Sequence, residues 1–417
     1  MILPTAEPNA VTVAVPIIFA ATYLGVAVGR VPYLKLDRTG IALLGAIGIM
    51  ALSGLPTQAV IGFINWPTIL LLFGFLVLSA QLRLSGFFDR AAALTASRLG
   101  HPARFLLLLM VVAAGLSAVL NHDIVCFAFA PLVGAALLRR GLNPIPFLVA
   151  LAIASNIGAA ATLVGNPQDM MIAQVAGLGF ARYLAWCITP VMVALGSAYG
   201  IIWALSRHHL ALTAPASTPP SATPRPFNRF HTMKGLIILG LVVALFFSPL
   251  PKELVALTAA GIHLASPTFR TEDMLGLVDW EILVLFMGLF VVTGALEASG
   301  YGAQMAGYLA HHGLDLASLP VLALATAALS NLINNAAAVM LLLKLAPMTH
   351  PHAAYVLALA NSFGGSLIIL GSVSNIIVVQ QAREMDINIR FRDFARLGVP
   401  VTLAALAGLL GWVAVVT

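Results

Sequence analysis

The sequence predicts an all-α polytopic membrane protein of two inverted repeats, with about ten transmembrane helices, two re-entrant helical hairpins and two broken helices. Three observations carry this. Of 417 residues, 60% are hydrophobic and only 9% charged, with a mean hydropathy of +1.00. A soluble domain carries roughly a quarter charged residues, so this chain has too little charge to cover its surface. The two halves also match each other, and the basic residues gather on one side of the implied membrane.

Taken in order, apolar segments lie near 13–29, 41–61, 66–84, 105–138, 147–177 and 183–206. The stretch 207–234, rich in Pro, Ser, Thr and Ala, reads as a cytoplasmic linker. Six more segments follow, near 235–250, 252–267, 280–298, 318–347, 353–382 and 394–416. Each half has three ordinary spans, two interrupted segments and a final span. This divides the chain into an N-terminal repeat (1–206: scaffold 13–84, core 105–206) and a C-terminal one (235–417: scaffold 235–298, core 318–417).

The repeat is visible in single residues. "NWPTILLLFGFLVLSAQLRLSGFF" from Asn65 matches "DWEILVLFMGLFVVTGALEASGYG" from Asp279, with Trp66 on Trp280 and Ser85-Gly86 on Ser299-Gly300. The same offset carries Asn121 onto Asn335. A slightly shorter one aligns "SNIGAAATLVGNPQDMMIAQ" (155–174) with "NSFGGSLIILGSVSNIIVVQ" (361–380).

Charge counting fixes the topology. If 105–138 and 318–347 enter and leave on one face, each half crosses five times, and the second half is inverted. With the N-terminus outside, all of the 21 basic residues except Arg182, Lys252 and Lys344 become cytoplasmic, as the positive-inside rule requires. If both hairpins crossed fully, Arg139 and Arg140 would be parted from Arg83 to Arg104. The sequence thus points to a multi-pass protein of the bacterial inner membrane with both termini outside. The N-terminus has neither a positive n-region nor an A-x-A pattern, so no removable signal peptide is expected.

A span needs about 20 apolar residues, and each half of 105–138 is shorter. Its turn, "LNHDIVCFAFAP" (120–131), places Asn121, His122 and Asp123 at membrane depth. Broken backbone is tolerated there only where it lines a site or a wet cavity. Half-helix ends meeting near the midplane are the build of secondary transporters, and their N–H groups hold anions or polar solutes.

"SGFFDRAAALTASRLG", the Asn-His-Asp tip with its half-helix to Pro131, the Asn-Asn of 334–335, "GLGFARYL" (177–184) and "GNPQ" (165–168) resemble the ion-transporter superfamily, and within it the arsenite permeases (ArsB) and related anion permeases. The resemblance runs from about residue 15 onward and implies arsenite or antimonite efflux. It also implies an external ATPase subunit as a candidate partner of the permease. The sodium-coupled dicarboxylate branch carries Ser-Asn-Thr at both tips. Asn-His-Asp and Ile-Asn-Asn stand here instead, which counts against sodium and dicarboxylate.

Each candidate has a plainer reading beside it. Asp123 and His122 are the proposed proton-coupling pair, since ionisable groups at membrane depth are costly and histidine titrates near neutrality. Asp123 would equally serve at a helix start, and a buried His is commonly structural. Asn121, Asn334 and Asn335 are substrate candidates that would also satisfy broken backbone. Ser155, Asn156, Asn166, Asn361, Ser362, Ser374 and Asn375 are further substrate candidates on the interrupted segments, or interhelical hydrogen-bonders. Cys126 is a candidate soft ligand for trivalent arsenic, or packing. Asp169 completes a polar cluster or faces the cytoplasm.

Cys126 and Cys187 both lie in apolar runs, so no disulfide framework is implied. No Walker loop, H-E-x-x-H or G-x-S-x-G elbow occurs. The expectation is therefore a non-enzyme without cofactors. It is a secondary active transporter exchanging arsenite or antimonite for protons by alternating access; the alternative is a proton- or sodium-coupled permease for a small inorganic or carboxylate anion. Partners would be the solute, protons and the lipid bilayer, with a homodimer possible and no nucleic acid, the +6 charge being positive-inside arginine.

Overall fold

The computed structural model describes residues 10–29, 36–208, 226–266 and 268–416. Within them the fold is all helical. Helices α1 (Ala10–Val28), α2 (Arg38–Leu52), α3 (Thr57–Gly62) and α4 (Trp66–Leu84) open the first repeat. They are followed by α5 (Phe87–Ser97), α6 (Pro102–Val119), α7 (His122–Arg139), α8 (Ile145–Ala159), α9 (Pro167–Val175) and α10 (Phe180–Ser206). The second repeat runs through α11 (Arg229–Leu245), α12 (Lys252–Leu264), α13 (Thr271–Leu275), α14 (Trp280–Ala298) and α15 (Tyr301–His311). It ends with α16 (Leu319–Ile333), α17 (Asn335–Leu345), α18 (Ala353–Gly364), α19 (Val373–Glu384) and α20 (Phe391–Val416).

Six of the described helices, α4, α6, α7, α10, α14 and α20, are long and apolar enough to cross a membrane, and shorter apolar helices accompany them. Against the expectation from sequence, both arms of the first hairpin, α6 and α7, thus reach the length of a span, because the helices extend beyond the apolar run to Pro102 and Arg139. Of the linker, residues 209–225 lie outside the described residues, and its last part is not linker. Arg229 to Lys234 form the first turns of α11, where the Asn228 side chain accepts from the His231 N–H at 3.1 Å. Three short helices are also added that the apolar pattern did not mark, α5, α13 and α15. Helices α5 and α15 are each entered through a left-handed glycine, Gly86 (φ 73°) and Gly300 (φ 78°), at matched repeat positions. That conformation costs a side-chain-bearing residue roughly 1 kcal/mol or more.

The inversion is written into the packing. Helix α4 lies along α12, and α14 lies along α2. A Cβ on Gly74 would stand 2.8 Å from the Ala256 backbone, and one on Gly288 would stand 2.8 Å from the Ala42 backbone. Gly74 corresponds to Gly288 in the repeat, and Ala42 to Ala256. Each repeat thus gives the other the same close contact in exchange, as a two-fold axis demands.

The hairpins follow the same rule. Helix α6 packs along α8, and α16 along α18, through Gly158 against Ala114 and Gly364 against Ala327. A crevice lined by Leu99 on one side and Arg139 and Arg140 on the other brings the entry of the α6–α7 hairpin beside its exit. The second hairpin is tied near its exit by the ion pair of Lys344 with Glu297, at the end of α14. Cysteines at positions 98 and 139 should accordingly be labelled by a membrane-impermeant maleimide from one side, and at position 344 from the other. Labelling of 98 and 139 from opposite faces would turn the hairpin into two spans and dissolve the site described next.

Candidate functional site

The first hairpin turns on two extended residues, Leu120 (φ −133°, ψ 161°) and Asn121 (φ −59°, ψ 119°). The Asn121 side chain then caps α7, its Oδ1 accepting the Asp123 N–H at 2.8 Å. In the second hairpin that role falls to Asn334, whose Oδ1 accepts the Ala336 N–H at 2.8 Å. The structural partner of Asn121 is therefore Asn334, not Asn335 as the residue offset gives, and His122 stands opposite Asn335. Asn334 has φ 106° and ψ 142°, a region nearly closed to residues with a Cβ. Such strain costs on the order of 1–3 kcal/mol and gathers at functional sites.

The two interrupted segments break at corresponding places in the repeat. Helix α8 ends at Ala159 and α9 resumes at Pro167; α18 ends at Gly364 and α19 resumes at Val373, with a single 3-10 turn (Ile369–Gly371) between. All four half-helix starts border one cavity of ≈ 30 Å³: His122 and Asp123 of α7, Pro167 and Gln168 of α9, Asn334 and Asn335 at α17, Ser372 and Val373 at α19. Four helix N-termini, with their orphan N–H groups and positive dipole ends, thus converge on one small space. Arg38, at the start of α2, and Ile282, at the start of α14, close it from the side. Arg38 was not singled out by the sequence, where it is one loop arginine among several.

His122 and Asp123 are largely buried, with side chains 7% and 15% exposed. The imidazole Nδ1 faces the Gly165 carbonyl at 3.3 Å, and since a carbonyl only accepts, Nδ1 is the donor there. Nε2 lies 3.5 Å from Asp123 Oδ1. Asp123 Oδ1 and Asn335 Oδ1 are buried acceptors without a hydrogen-bond partner. The cavity therefore offers main-chain donors and unmet acceptors together.

Most of the remaining candidates hydrogen-bond within the protein. Asn156 Nδ2 donates to Asn375 Oδ1 at 2.9 Å, and Ser374 Oγ donates to Asn156 Oδ1 at 3.3 Å. Asn375 Nδ2 donates to the carbonyls of Gly365 and Ile368. Asn166 Nδ2 donates to Ser362 Oγ at 3.1 Å and to Asp169 Oδ2 at 2.7 Å. Ser330 donates to Asn361 Oδ1 at 2.9 Å. The Asn156–Asn375 and Asn166–Ser362 bonds join the first repeat to the second. Asp169 is fully buried in this network rather than facing the cytoplasm. Ser155 and Cys126 are fully buried beside one another behind the cavity. Among the described residues no group of three His, Cys, Asp or Glu side chains gathers as a metal site.

Broken helices and paired hairpin tips around a buried polar cavity define a membrane transporter. The family model for citrate transporters (CitMHS) matches residues 15–358, and the chain belongs to that family, within the ion-transporter superfamily. An uncharacterized transporter of Mycobacterium tuberculosis is 30% identical over 411 residues, covering 93% of this chain and 95% of that protein. The silicon efflux transporter LSI3 of Oryza sativa subsp. japonica is 26% identical over 451 residues, covering 90% of this chain and 92% of its own. The fold is shared with the crystal structure of the YdaH transporter of Alcanivorax borkumensis, with a TM-score of 0.64, 16% identity and 98% of each chain covered.

Proposed function

We propose that this transporter exports arsenite or antimonite in exchange for protons by alternating access. The observation that carries the reading is the mixture of donors and acceptors around the cavity. Helix N-termini receive a solute's oxygen atoms, while Asp123 Oδ1 and Asn335 Oδ1 need hydrogens. A small undissociated hydroxide supplies both. A fully dissociated anion brings no hydrogen for these acceptors and meets the Asp123 carboxylate. The similar plant protein named a silicon efflux transporter supports export of a small inorganic solute.

His122 and Asp123 are the coupling pair in this reading. With Nδ1–H given to Gly165, an attractive Nε2–Oδ1 contact requires one further proton, held by the imidazole or by the carboxyl. Entry of a hydroxide whose hydrogen takes Oδ1 as its acceptor would compete for that position. Solute and proton then exclude each other, which is the logic of exchange. Helices α1–α4 and α11–α14 would form the scaffold, against which the hairpins and broken helices move.

Arg38 favours a second reading, a permease for a small inorganic anion, because a guanidinium at the cavity suits a negative solute. Growth of an arsenite-sensitive host separates the two. Expression should restore growth on arsenite and antimonite, and Arg38→Gln should retain most of that resistance. Failure of the wild-type chain to protect, or collapse of resistance in Arg38→Gln with normal protein abundance, would move the assignment to the anion.

A further inference from the structure

A large opening on the basic side of the protein lies away from the solute cavity. It is a crevice of ≈ 410 Å³ between α5 and the C-terminal half of α7. Ala93, Ala96, Leu132 and Ala136 form its apolar walls, and Arg139 and Arg140 stand at its mouth. Small side chains keep the walls apart, while both arginines are exposed. No acidic residue lines it. Between Arg90 and Arg140 the only acidic residue is Asp123, held at the far end of α7, whereas Arg98 and Arg104 add to the positive end. The second repeat has no counterpart: its offset puts His352 and Ala353 where Arg139 and Arg140 stand.

We propose that this crevice seats an anionic phospholipid, one acyl chain lying along the alanine walls and the headgroup phosphate on Arg139 and Arg140. Charge complementarity selects this occupant. A paired arginine mouth matches a phosphate in a way that a zwitterionic headgroup offsets with its own cation. Basic pockets between membrane helices on the cytoplasmic side suit such headgroups, because anionic lipid is concentrated there. The apolar walls are the second half of the recognition, since free phosphate leaves them empty. A lipid here would clamp α7 to α5, and α7 is the helix that carries His122 and Asp123 at its other end.

The test is lipid retention by the purified full-length chain in detergent, read by native mass spectrometry with added phosphatidylglycerol, phosphatidylcholine or inorganic phosphate. Phosphatidylglycerol should be retained, phosphatidylcholine not, and inorganic phosphate should fail to displace the bound lipid. Arg139→Gln with Arg140→Gln should weaken retention by about tenfold or more, and Arg207→Gln should leave it unchanged. Ala136→Leu fills the crevice without touching charge and should also reduce retention. Equal retention of both lipids, displacement by inorganic phosphate, or undiminished binding in both the arginine and the Ala136→Leu variants would overturn the proposal. The wild-type lipid comparison stands even where a variant fails to fold.

Discussion

Asp123→Asn should reduce proton-gradient-driven arsenite accumulation in everted vesicles to the level of vesicles lacking the protein, while solute counterflow persists. The substitution keeps size and shape, and the cap at α7 survives because Asn121 Oδ1 accepts from the main-chain N–H of residue 123. What is lost is the one carboxyl that lines the cavity among the described residues. His122→Gln should act differently, since its donor to the Gly165 carbonyl can be replaced. It should displace the dependence of transport on pH more than it lowers the maximum. Unchanged gradient-driven transport in Asp123→Asn would leave this carboxyl a favourable charge at a helix start, and would direct attention to Asp169.

The fold was legible because a membrane chain writes its architecture in polarity. Apolar length marks the spans and polar interruption marks the breaks. The short helices α5 and α15 escaped because they are mixed in character: α5 buries Phe88 and Ala92 but carries Asp89 and Arg90. Their signal was present all the same in the matched Ser-Gly pairs before them. The start of α11 was hidden because its first residues, Arg229 to Lys234, are polar like the linker that precedes them.

The site was legible in position more than in detail. Offsets between repeats reveal which residues correspond, and they led to the tips and breaks that surround the cavity. They do not reveal contacts, because a two-fold axis pairs a residue with the other repeat through space that no linear alignment contains. Asn156 and Asn375 sit on corresponding segments but bond to each other. Their amide chemistry suits a solute and a neighbouring helix equally. Arg38 is illegible for the opposite reason: it joins the cavity only because α2 lies along α14. The misplacement by one residue at the tips, Asn335 for Asn334, arises because both are asparagine and only the cap tells them apart.

Asn166→Ala should be the most damaging of the amide substitutions, and its damage should appear in folding rather than in selectivity. This side chain accepts the Asp169 N–H at 2.7 Å as the cap of α9, and donates to Asp169 Oδ2 at 2.7 Å and to Ser362 Oγ at 3.1 Å. Loss of a cap costs roughly 0.5–2 kcal/mol, and a buried polar group left without its partner costs roughly 1–3 kcal/mol. The interhelical bond to Ser362 alone is worth nearer 0.6 kcal/mol by the average for such bonds in membranes. The Asp169 contacts therefore dominate, because Asp169 is fully buried and its Oδ1 already lacks a partner. Ser362→Ala should accordingly be mild, and Asn166→Ala should sharply lower both the thermal stability of the purified protein and its abundance in the membrane. Combining the two should cost less than their sum, since the second change removes a bond the first has already broken. An Asn166→Ala protein of normal stability that has lost only solute binding would make this amide a ligand, and would return the inter-repeat bonds to a secondary place.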